Sequence, residues 1–203
     1  MALAGTVVAL ATQANATTIT YNFQENGSNL ILGPTSTFTE GGFSLTASGF
    51  LTSSPGATTD LYAKSLGGDE IGLGTNSDPS GQHEIVTTNF IQLTLPTTPP
   101  SNFQLVLLAS VQTGEQAKVF FTTTAGTLTG ATLIGTITSA DGSVSIPPGD
   151  QTGFIDITAG NANVLLAGAQ ISTPTVPDGG SAVALLGIAL AAIEGLRRTL
   201  RTK

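Results

Sequence analysis

The densest group of side chains able to do chemistry lies between Gly67 and Glu84, in the run Gly-Gly-Asp-Glu-Ile-Gly-Leu-Gly-Thr-Asn-Ser-Asp-Pro-Ser-Gly-Gln-His-Glu. Asp69, Glu70, Asn76, Asp78 and Glu84 are hard oxygen donors, and the glycines between them let backbone carbonyls converge. Oxygen ligands on a flexible loop suit Ca2+. Asp69, Glu70, Asp78 and Glu84 are therefore the candidate metal ligands, and Ca2+ is the one cofactor expected. The spacing is not that of an EF-hand, and the plain alternative is a solvated loop of turn residues. Two nearby carboxylates are also what glycoside hydrolysis requires, although such pairs usually come from different strands.

Other chemistries are excluded by residue counts. His83 is the only histidine and there is no cysteine, so a zinc site with two His or Cys ligands cannot form. The missing cysteines also rule out disulfides and thiolate catalysis. No Gly-x-Ser-x-Gly elbow, phosphate loop or dinucleotide fingerprint occurs. His83 reads as a loop residue. With no Trp and only Tyr21 and Tyr62, a stacking platform for sugars looks thin. No catalytic residue is assigned, and an enzyme is not expected.

Strands must position this loop. Ile19, Tyr21 and Phe23 alternate with polar residues, as do Phe43, Leu45 and Ala47 ahead of Phe50-Leu51. Leu61 to Lys64 is a short run. Phe90 to Leu95 is a clear strand stopped by Pro96. Phe103 to Ser110, Ala117 to Thr122, Thr132 to Thr138, Val144 to Ile146, Phe154 to Ile157 and Val164 to Ile171 complete about ten short strands. Turn residues separate them, and nothing in residues 17–175 shows a 3.6-residue period. The fold class expected is all-β: an antiparallel β-sandwich, jelly-roll-like, in one domain over 17–175. Charged residues make up 9% of the chain, against about 25% in an average domain. All acids but Asp178 and Glu194 fall between 17 and 175, against Lys64 and Lys118, a net of −9 there. Such a body repels nucleic acid, which is excluded as a partner.

Both ends differ from this body. Residues 2–11 are apolar, and Ala14-Asn15-Ala16 is a small-x-small cleavage site before Thr17. Residues 1–16 thus read as a signal peptide remnant whose basic n-region is missing, as a late start codon would leave it. At the other end, Val176-Pro177-Asp178-Gly179-Gly180-Ser181 precedes an apolar run from Ala182 to Leu196. Pro177 stops any helix entering from the domain, Asp178 and Ser181 can cap a new one, and Gly179-Gly180 leaves a flexible stretch open to a protease. Fifteen helical residues span about 22 Å, against a bilayer core of about 30 Å. The run is expected to be a short transmembrane helix, its Arg side chains snorkelling and Glu194 near the headgroups. Arg197, Arg198, Arg201 and Lys203 follow as a membrane stop, which places the body outside the cell.

Pro-containing motif, apolar helix and basic end together resemble the PEP-CTERM sorting signals of Gram-negative bacteria, most closely the variant beginning Val-Pro-Asp. The resemblance implies recognition by an exosortase, a membrane cysteine protease. Cleavage would fall near Pro177-Asp178, with release or reattachment outside. Partners implied are the exosortase, the inner membrane transiently, and extracellular polysaccharide. The first functional reading is an exported, non-enzymatic protein of the cell surface, extracellular matrix or biofilm. Its rivals are a Ca2+-dependent carbohydrate-binding module and an extracellular polysaccharide hydrolase.

Overall fold

The computed structural model describes residues 17–23, 29–65, 70–95, 101–150, 153–173 and 179–201, with side chains of the C-terminal helix described for 186–198. Fourteen strands are present: β1 (Thr17–Asn22), β2 (Leu30–Gly33), β3 (Thr35–Glu40), β4 (Phe43–Leu51), β5 (Thr58–Thr59), β6 (Leu61–Ser65), β7 (Ile71–Thr75), β8 (Asn89–Thr94), β9 (Asn102–Ala109), β10 (Gln116–Thr122), β11 (Thr132–Thr138), β12 (Gly142–Ser145), β13 (Phe154–Ala159) and β14 (Leu165–Thr173). One helix, α1, runs from Gly179 to Arg201. The strands form a unit over Thr18–Thr173.

Two seven-stranded sheets make a sandwich. Sheet A has the order β12-β9-β14-β7-β6-β2, with β1 also on β14; sheet B has β11-β10-β13-β8-β4-β3, with β5 on β4. From β7 onward the chain interleaves the sheets. The spatial order β7-β14-β9-β12 faces β8-β13-β10-β11, which is the eight-stranded jelly roll. The earlier strands extend it, β6 and β2 on one sheet, β4 and β3 on the other.

Alternation along each strand sets the core. In sheet B the row Gly49–Ile91–Ile157–Val119 lies beside the row Ala47–Leu93–Ile155–Phe121. Leu61, Leu73, Val106, Leu108, Leu166, Ala169 and Ile171 close the core from sheet A. Each Leu or Ile so buried contributes about 1.5–3 kcal/mol. Tyr21 is buried too, and its hydroxyl donates to the Phe43 carbonyl at 3.0 Å, tying β1 to β4. At the β3–β4 hairpin, Glu40 pairs with Phe43 around Gly41 (φ 56°) and Gly42 (φ 81°). Two positive φ values in a two-residue loop define a turn that matches strand twist, which is why two glycines stand there.

Four strands were not expected from the sequence. β2 and β5 are too short to show a period, and β3 (Thr-Ser-Thr-Phe-Thr-Glu) carries a single apolar residue. β7 lies inside the stretch read as one Gly-rich loop, which corrects that reading. Leu73 and Thr75 are buried on its inner side, while Gly74 is crossed by the His83–Glu84 backbone and a side chain at Gly72 would meet Leu166 of the paired strand β14.

Candidate functional site

The segment after β7 folds back over the outer side of sheet A. Gly74 permits this: a side chain there would collide with the His83 carbonyl and the Glu84 backbone. The path is fixed by Asp78. Its carboxylate accepts from Ser80 N at 2.8 Å, Ser80 Oγ at 2.6 Å, Gln82 N at 3.2 Å and Glu84 N at 3.4 Å. Burial pushes the Asp78 carboxyl up, but these donors outweigh it and hold it below the ordinary carboxylate value. A bridge between Ile85 and Val164 then returns the segment to the sheet.

This path carries Glu84 onto Lys64 of β6. Lys64 Nζ lies 2.6 Å from Glu84 Oε1 and 3.0 Å from Glu70 Oε2. The Lys64 and Glu84 side chains are only 1% and 3% exposed, while Glu70 at the rim is 41% exposed. Ser110 Oγ donates to Glu84 Oε1 at 3.2 Å, and Thr75 Oγ1 donates to the Glu84 carbonyl at 3.0 Å. Desolvation alone would lower the Lys64 ammonium, but the hydrogen bonds and charges of Glu84 and Glu70 raise it above its usual value. Above this pair the His83 imidazole stacks on Tyr62, ring centroids 4.0 Å apart and planes 13° apart. His83 lies in the loop after β7 and holds a left-handed backbone, φ 60°.

The expected Ca2+ ligands are thus separated by function. Asp69 lies outside the described residues. Asp78 serves backbone amides, while Glu70 and Glu84 share one ammonium. Among the described residues no group of three or more metal-ligating side chains converges. The sequence carries no site signal for Lys64 or Ser110, beyond Lys64 being one of two bases in a net −9 body, and Tyr62 stands out there only as one of two tyrosines.

A second buried acid lies in sheet B. The outer row Ser48–Gln92–Asp156–Phe120 is covered by the segment after β10. Gly126 N donates to Gln92 Oε1 at 3.1 Å and Gln92 Nε2 donates to Asp156 Oδ1 at 2.8 Å. Asp156 Oδ2 is buried without a hydrogen bond. Burial pushes this carboxyl up to about 7, against the downward pull of Gln92.

The C-terminal unit is described by itself. Ala14 and Ala16, Val176 to Asp178, and Lys203 lie outside the described residues. Gly179 and Gly180, expected to be a flexible stretch, and Ser181, expected to cap the helix, form the first turn of α1. The helix also continues past the apolar run, through Arg197 and Arg198 to Arg201, for 23 residues or about 34 Å. Leu186, Ile188, Leu190, Ile193 and Leu196 are exposed, between 52% and 67%. Glu194 pairs with Arg197 at 3.6 Å and with Arg198 at 3.1 Å, so the acid in the apolar run belongs to the basic cluster. Among the described residues no helix is long and apolar enough to cross a membrane, which does not meet the expected transmembrane helix. The physical reason is that the apolar run Ala182–Leu196 itself rises only about 22 Å, short of a bilayer core of about 30 Å, and it carries Glu194.

Residues 175–200 match the VPDSG-CTERM motif, a PEP-CTERM-like variant of the exosortase sorting signal. That motif supports an exported, exosortase-processed protein with a membrane-anchored precursor. No curated protein matches the chain.

Proposed function

We propose that the protein is a non-enzymatic component of the cell surface or extracellular matrix, delivered by its C-terminal signal. The match over residues 175–200 carries this reading. The precursor would be held by the Ala182–Leu196 run. That run is some 8 Å shorter than a bilayer core, which local thinning and snorkelling Arg197 and Arg198 accommodate. A marginal span suits a temporary anchor. The exosortase would then cut near Pro177-Asp178 and leave the β-sandwich outside. The sandwich suits such a cargo, since its core is complete without a disulfide.

Intact mass of the protein recovered outside the cell tests this. The expected species begins at Thr17 and ends close to Pro177. Recovery of a species that still carries Lys203 refutes processing.

A further inference from the structure

The Tyr62–His83 stack borders a cavity of about 330 Å³ on the outer side of sheet A, with Asn29, Glu70 and Gln82 around it and Lys64 at its base. That volume is at the small end of ligand pockets and suits one or two sugar rings. We propose that this cleft binds a neutral, hydroxylated sugar ring without a metal ion.

Four observations carry it. First, Glu70 is a half-exposed carboxylate held from below by the buried Lys64 ammonium at 3.0 Å. A carboxylate fixed in this way accepts hydrogen bonds from adjacent hydroxyls in one orientation. Lys64 is a positioning residue, since its own side chain is shut away from solvent. Second, the side-chain oxygens of Asn29 and Gln82 accept from Ser65 N at 3.1 Å and Asn163 Nδ2 at 2.9 Å, which orients their NH2 groups as donors to complement the acceptor Glu70, and a hydroxyl both gives and takes a hydrogen bond. Third, Tyr62 and His83 stack face to face at 4.0 Å, so Tyr62 fixes the plane of the imidazole and the outer side of the stack is a flat surface against which a sugar's C–H face can pack. Their alignment depends on the positive φ of His83, a conformation that costs free energy for a non-glycine residue and marks sites where position matters. With His83 Nδ1 buried and without a partner, Nε2 is left as the ring's hydrogen-bonding atom. Fourth, Asp78, Glu70 and Glu84 already have other partners, so recognition by this set needs no cation. The inference goes beyond the sorting proposal and does not rest on it.

The test titrates the full-length 15N-labelled chain, in detergent, with cellotetraose, mannotetraose and galactotetraose, reading the amide shifts of Gly81, Gln82 and His83. At least one probe is expected to give saturable shifts at these amides, unchanged in EDTA. Glu70→Gln is expected to weaken that binding about tenfold with the Tm unchanged within a few degrees. Tyr62→Ala is expected to abolish it. Absence of saturable shifts with all three probes overturns the proposal. So do shifts confined to another surface, loss of the shifts in EDTA, or a Glu70→Gln variant that folds and binds as the parent does.

Discussion

Replacing Asp156 by Asn is expected to stabilise the sandwich at neutral pH and to flatten its pH dependence. The carboxyl is fully buried, holds one hydrogen bond from Gln92, and leaves Oδ2 unpartnered. Desolvation raises it from 3.8 to about 7 in the folded state. The unfolded chain therefore gives up this proton near pH 3.8, while the folded chain keeps it until about pH 7. Over that window the unfolded state binds fewer protons, so stability falls as pH rises. The favourable contribution is fully present below the unfolded value and is gone above about pH 7. Three units at 1.36 kcal/mol each set the loss at about 4 kcal/mol. Asn keeps the acceptor for Gln92 and carries no charge, so the variant escapes the loss. Urea denaturation of parent and variant at pH 4, 6 and 8 measures it. The difference between the two isolates Asp156, because Asp78 and the remaining carboxylates titrate in both. The variant should gain relative to the parent with rising pH, by about 4 kcal/mol between pH 4 and 8. Parallel curves would refute the reasoning, and a parent that gains on the variant with rising pH would reverse its sign.

Two further perturbations test the polar cluster. Lys64→Ala leaves Glu84 charged and buried, and is expected to cost about 3–5 kcal/mol in urea denaturation. The double change Lys64→Met, Glu84→Met should recover most of that, because a buried ion pair is often no more stable than an apolar pair of similar volume. Gly74→Ala places a methyl group against the His83 carbonyl. It is expected to cost at least about 2 kcal/mol and to speed amide exchange across residues 76–85 while the core of sheet B stays protected.

Period-two alternation was enough to read most of the sandwich, because in strands such as β8 and β13 one side must face the core. Ile91 and Leu93, or Ile155 and Ile157, announce themselves in this way. It failed where a strand buries both sides or neither. β3 turns hydroxyls outward, Thr35, Thr37 and Thr39 meeting Ser48, Thr46 and Ser44 at 3.1 to 3.2 Å, and offers only Phe38 inward. β7 replaces its outward side chains with glycine because backbone lies against them. In a linear reading, glycine needed for close approach looks the same as glycine needed for a turn. Only the partner segments, Leu166 of the paired strand beside Gly72 and His83 over Gly74, distinguish the two.

The same ambiguity governs the acids. Glu70, Asp78 and Glu84 lie close in sequence, and proximity alone made them one ligand set. Their separation follows from three partners distant from the loop or internal to it: Lys64 on the neighbouring strand, Ser110 at the end of β9, and the loop's own amides. A carboxylate's role is decided by what neutralises it, and that lies in the tertiary contacts. Asp156 is the limiting case. Within Phe-Ile-Asp-Ile-Thr it occupies an outward position of an alternating strand and reads as solvated. It is buried because Gly126, thirty residues earlier in the chain, brings its own segment across that side of sheet B. The tail behaves differently. Its apolar run and basic end are local properties of consecutive residues, so their order along the chain already contains what a membrane and a protease would respond to.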